Sequence, residues 1–221
     1  MKSSLSDKKI VRISKSLNLV NEYQACALNS ILTIIHNSGF GDKISVDEIK
    51  NIFDYDHEGI SSEKHRFYKL NTYLNNCKVP YRFYIRKYGS LQELYKYLNI
   101  QGPVPVFFWM NVLQFTKDKY KNMEYQLNFG DVFQTDNKHV LLFVGYDKAG
   151  EKIFFIDPSY QLPWIGQKED LQKYYFELSI KDFYECTKRL KILLEVKYSK
   201  VYEKKYKREK TKKKEKQLEL K

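Results

Sequence analysis

Residues 138–160 read KHVLLFVGYDKAGEKIFFIDPSY. Two apolar runs, Lys138–Tyr146 and Lys152–Ile156, flank the turn-forming Asp147–Gly150. The pattern predicts two strands paired as a hairpin, with Asp157-Pro158 stopping the second. His139 then stands near the start of one strand and Asp157 at the end of the next. Antiparallel pairing makes those two ends neighbours.

Working outward, Val104–Met110 follows Gly102-Pro103 and is the longest apolar run, which reads as a buried strand. Residues 111–137 are polar and have no clean period, so they read as a long connection, with room for an irregular strand or hairpin, whose length suggests a function such as covering a site. Upstream, Leu28, Ile31, Leu32 and Ile35 recur at three- and four-residue spacing. That spacing predicts an amphipathic helix with Cys26 in its first turn and Asn37-Ser38-Gly39 as its stop. Ser45 with Glu48, and Ser90 with Glu93, have capping-box spacing and start two further helices, the second ending near Asn99. Another helix is expected over Glu63–Asn75, and a strand over Val79–Arg86. Ile10–Ile13 reads as a short strand, Ser179–Cys186 as a short helix, and Leu190–Val196 as a last strand. Helical signals followed by strands predict an α+β domain over residues 1–201.

The chain has 221 residues, a formal charge of +12 and 35 aromatic residues, namely 19 Tyr, 14 Phe and 2 Trp. A 43% hydrophobic fraction excludes a wholly disordered chain and leaves material for a core. Half of the charge sits in the lysine-rich tail, residues 202–221, with ten Lys or Arg and four Glu. The tail raises the question of nucleic-acid or acidic-surface binding, although lysine with interleaved Glu is also an ordinary solvated end. The aromatic residues fall mostly within expected strands and helices, where they serve packing.

Cys26, Cys77 and Cys186 are odd in number and widely spaced, and form no CxxC or Cys/His zinc pattern. This reads as a reducing, cytoplasmic setting. No signal-peptide h-region and no membrane span is evident. His57 and His65 are too weakly placed to suggest a metal pair, and His36 reads as a helix-end residue.

Cys26, His139 and Asp157 suggest nucleophilic chemistry. A helix N-terminus favours a thiolate. A histidine beside it favours the thiolate further and can protonate a leaving group. A carboxylate on the far ring nitrogen orients the imidazole. The Cys26 backbone N–H with Gln24, or alternatively Asn21, would form an oxyanion hole. Each residue also has an ordinary use: a small buried thiol, an edge-strand histidine, a strand-ending Asp-Pro.

These segments resemble papain-like cysteine peptidases of the C39 and C39-like type. YQACALNSILTIIHNSG (23–39) resembles their nucleophile segment, GPVPVFFWM (102–110) their central strand, residues 138–160 their His-strand-turn-strand-Asp-Pro unit, and SIKDFYEC (179–186) a late Phe-containing segment. The resemblance spans about residues 20–187. It implies a papain-like fold, with helices packed on an antiparallel sheet, and an acyl transfer or peptide hydrolysis needing no metal or organic cofactor. It casts Cys26 as nucleophile, His139 as base, Asp157 as orienting residue and Gln24 as oxyanion donor, with a peptide or protein as substrate. Two positions depart from the family's pattern. Ala27 stands where a glycine usually follows the cysteine, and Gln24 lies two residues before Cys26, where the family has it about five before, the place of Asn21. A catalytically silent papain-like domain that binds a peptide or protein is the alternative.

Overall fold

The computed structural model describes residues 7–11, 25–55, 64–109, 138–156, 158, 176–187 and 191–198. Asn21, Gln24, Asp157, the 111–137 connection and the 202–221 tail lie outside the described residues, so the expectations placed on them rest on sequence. In chain order the elements are β1 Lys8–Ile10, α1 Cys26–Asn37, α2 Val46–Ile52, α3 Lys64–Asn76, β2 Tyr81–Lys87, α4 Leu91–Gln101 and β3 Val104–Trp109. There follow β4 Lys138–Asp147, β5 Lys152–Ile156, β6 Phe176–Ser179, α5 Ile180–Thr187 and β7 Ile192–Tyr198.

The seven strands form one antiparallel sheet in the order β2-β7-β3-β4-β5-β6, and β1 also pairs with β4. This is the expected α+β arrangement. Both anticipated caps are formed: Ser45 Oγ accepts from the Glu48 N–H, and Ser90 Oγ accepts from the Glu93 N–H. The β4–β5 hairpin is present, with a register shift between Phe143 and Gly145. Strand β6 was not anticipated, because Phe176–Ser179 is too short to show a period against its tyrosine-rich approach. The last strand, β7, does not extend the sheet. It inserts between β2 and β3, a placement that depends on long-range pairing and leaves no local mark.

The sheet is covered on both faces. Val140, Leu142 and Val144 of β4 alternate with Leu141 and Phe143. Leu142 and Val144 join α1, α2 and α3 in one core, with Leu28, Ile31, Ile49, Phe67 and Leu70. Leu141 and Phe143 join α4 and α5 in the other, with Leu94, Leu98 and Phe183. Double burial explains why 140–144 is a continuous apolar run and does not alternate with polar residues. Phe108, Phe155 and Phe183 meet ring to ring in the second core, with centroids 5.1–5.9 Å apart. Many of the aromatic residues are thus packing material.

The amphipathic reading of α1 needs correction. Ten of its residues, Cys26–Ile35, are buried, including Asn29, Ser30 and Thr33 outside the expected apolar face. Ser30 tolerates burial because its hydroxyl donates to the Cys26 carbonyl at 2.8 Å.

At Gly145 the close approach of β1 leaves no room for a side chain. A Cβ there would lie 2.7 Å from the Lys9 carbonyl oxygen, a backbone atom. Gly145→Ala is therefore expected to displace β1 at a cost of about 1–3 kcal/mol. The readout is amide exchange at Val11, whose N–H donates to the Val144 carbonyl at 2.7 Å. Exchange should accelerate there while the β3–β4 amides keep their protection.

Burial pushes the Cys186 thiol and the Tyr88 and Tyr95 phenols up to about 12. All three are neutral acids whose charged forms the folded state disfavours. Above about pH 9 the unfolded chain loses these protons first, so stability should fall with rising pH, at up to about 1.4 kcal/mol per pH unit for each group. Urea midpoints measured between about pH 8 and 11 should show the decline, and Tyr95→Phe should flatten it.

Candidate functional site

Cys26 is the first residue of α1. Ala25, at the cap position, contributes no side-chain hydrogen bond, and the first turn holds no acidic residue. The N–H groups of that turn have no partner one turn earlier in the helix, so the positive end of the helix dipole falls on the thiol. Cys26 is a free cysteine, 7% exposed. With Ala27 it packs against Val140 of β4 and Phe107 of β3. Neither of these wall residues stands out in the sequence, since both sit inside apolar runs. Only the pairing of Phe107 with Val140 sets them side by side beneath the helix.

The fold thus brings the start of α1 to the start of β4, where His139 directly precedes Val140. The side chain of His139 follows a different direction. It pairs with Phe108, and cross-strand partners share a face. Phe108 packs with Phe155 and Phe183 in the core that faces α4 and α5. Along β4, His139 therefore takes the face of Leu141 and Phe143, while Cys26 meets the face of Val140. Backbone proximity is close, and the register assigns the two side chains to opposite faces. Asp157, Gln24 and Asn21 lie outside the described residues, so the sequence alone speaks for their roles.

The other two thiols are differently placed. Cys186 is fully buried in the α4–α5 core, with its thiol held neutral. Cys77, half-buried, packs at the end of α3. His36 ends α1 against Gly41, where a Cβ would collide with its ring. Among the described residues no three His, Cys, Asp or Glu side chains group as a metal site would require. No helix among them is long and apolar enough to cross a membrane.

The wall of Val140 and Phe107 limits access to the thiol. Phe107→Ala should raise the rate of Cys26 alkylation several-fold, by about 3–10 times, by opening a packed side of the residue. Mass-spectrometric labelling kinetics with Cys77 as internal reference would register the change.

Neither a protein-family model nor a curated protein matches the chain. A solved structure does: a protein from Bacillus anthracis assigned as a C39-like peptidase superposes with a TM-score of 0.52 at 16% identity, covering 88% of this chain and all of that one. At that identity the likeness concerns the fold, and it agrees with the α+β architecture of helices packed on an antiparallel sheet that the chain displays.

Proposed function

We propose that the chain performs thiol-dependent acyl transfer or peptide hydrolysis with Cys26 as nucleophile. The observation that supports this best is the seat of Cys26. A free thiol occupies the first position of a helix whose cap residue, Ala25, makes no side-chain hydrogen bond, and through its contact with Val140 it lies one residue along the chain from His139. The peptidase-like fold of the Bacillus anthracis protein supports the same reading. In the mechanism, the Cys26 thiolate attacks a carbonyl carbon and the C–S bond forms. The oxyanion is held by the Cys26 backbone N–H with Gln24 or Asn21. As the oxyanion collapses the bond to the leaving group breaks, and His139, oriented by Asp157, gives that group its proton. His139 then takes a proton from water while the water oxygen bonds to the acyl carbon and the acyl–sulfur bond breaks. This requires the His139 ring to reach the helix side of β4, so the β3–β4 ladder around Lys138–Val140 must rearrange for the reaction.

A second reading, a catalytically silent domain of this fold that binds a peptide or protein, is favoured by the pairing of His139 with Phe108, away from Cys26. Thiol chemistry separates the two. Under the first, iodoacetamide near neutral pH alkylates Cys26 at least about tenfold faster than Cys77. His139→Ala slows that alkylation, because the thiolate loses the base that helps to generate it. A Cys26 that reacts no faster than Cys77, at a rate indifferent to His139, rules out the enzyme and leaves the binding domain.

A further inference from the structure

Strand β2 ends the sheet, and among the described residues its outer edge meets no second strand. Part of that edge is closed by side chains. The Phe83 N–H donates to Asn71 Oδ1 at 2.8 Å, and the Phe83 carbonyl accepts from Asn71 Nδ2 at 2.9 Å. The Arg82 guanidinium donates to the Tyr81 carbonyl. Since the backbone groups of Phe83 point away from β7, antiparallel alternation turns those of Ile85 and Lys87 outward as well. Among the described residues the edge is therefore blocked at Tyr81 and Phe83 and open at Ile85–Lys87, where no such side-chain cap is formed.

Beside the edge lies a groove of about 590 Å³. Tyr68, Asn71 and Thr72 of α3 line one side, and Tyr84, Ile85 and Arg86 of β2 the other. Its described lining includes two arginines, Arg82 and Arg86, and no carboxylate. Arg86 pairs with Glu195 at 2.9 Å, and Glu195 also holds Lys197 at 3.1 Å. That small cluster is thus one charge positive. Tyr68 is 74% exposed at the rim, a large ring with an open face. The register fixes where this groove stands: Val140 pairs with Phe107, Val106 with Leu193, and Leu193 with Arg86. The open edge is level with the wall of Cys26, three strands away, or about 14 Å across the sheet.

We infer that the Ile85–Lys87 edge and its groove take an extended acidic peptide segment as an added strand. The outward N–H and C=O groups supply the pairing. Lys87 and the Arg86–Glu195–Lys197 cluster attract carboxylates, and Tyr68 offers ring surface to the intervening side chains. The same charge disfavours a second copy of this +12 chain at that edge. The inference stands apart from the chemistry of Cys26.

The test uses the full chain and a synthetic peptide of roughly eight residues, the length of an ordinary strand, alternating Glu and Val, with a Lys/Val peptide as counterpart. On binding the acidic peptide, the Ile85 and Lys87 amides should exchange at least about tenfold more slowly, since they enter a ladder. Affinity should fall about tenfold between about 50 and 500 mM salt. Tyr68→Asp, at an exposed position that folding tolerates, and Arg86→Gln should each weaken binding about 3–10-fold. Cys26→Ala should leave binding unchanged, which separates this edge from the thiol site. Absence of binding, equal binding of the Lys/Val peptide, unchanged exchange at Ile85 in the bound state, or self-association through β2 would each overturn the inference.

Discussion

Burial of β4 on both faces is the constraint from which the remaining architecture follows. A strand with apolar side chains on each face must be covered twice, and the chain supplies two helix layers to do so. Val140, Leu142 and Val144 meet the α1 side, while Leu141 and Phe143 meet the α4–α5 side. The same strand has three partners, because β1 takes over the edge of β4 at Gly145, beyond the end of β3. Gly145 and the register shift beside it are what make that third pairing sterically feasible.

The site inherits its geometry from this strand. Because α1 lies against one face of β4, its first residue lands at the strand's start, and Cys26 meets Val140 and Phe107. Because strand side chains alternate, the neighbour of Val140 belongs by register to the other core. Proximity in the backbone and opposition in the side chains come from one fact, the two-residue period of β4. The fold alone, shared with a C39-like peptidase structure at 16% identity, does not decide between reaction and binding, because a fold hosts many functions.

Most of the local structure was legible in the sequence. The helix starts at Ser45 and Ser90, the span of α1, the β4–β5 hairpin and the strand after Gly102-Pro103 all appear where spacing and turn chemistry put them. These signals act over three or four residues, so a linear reading captures them. The all-round burial of α1 was not legible, because Asn29 and Ser30 look like solvent-facing residues until their tertiary surroundings and internal bonds are in view. The insertion of β7 between β2 and β3 was likewise hidden. It depends on pairings such as Phe83 with Val196, more than a hundred residues apart.

By itself the sequence determined an aromatic-rich α+β chain with a cysteine at a helix start, a histidine at a strand start and half its charge in residues 202–221. Periodicity, caps and composition are properties of neighbouring residues and survive without the fold. Only the tertiary structure decided which face of β4 each side chain takes, what walls in Cys26, and which strand is left with an open edge. Those outcomes depend on register and layer order, which distant segments set through hydrogen bonding and burial.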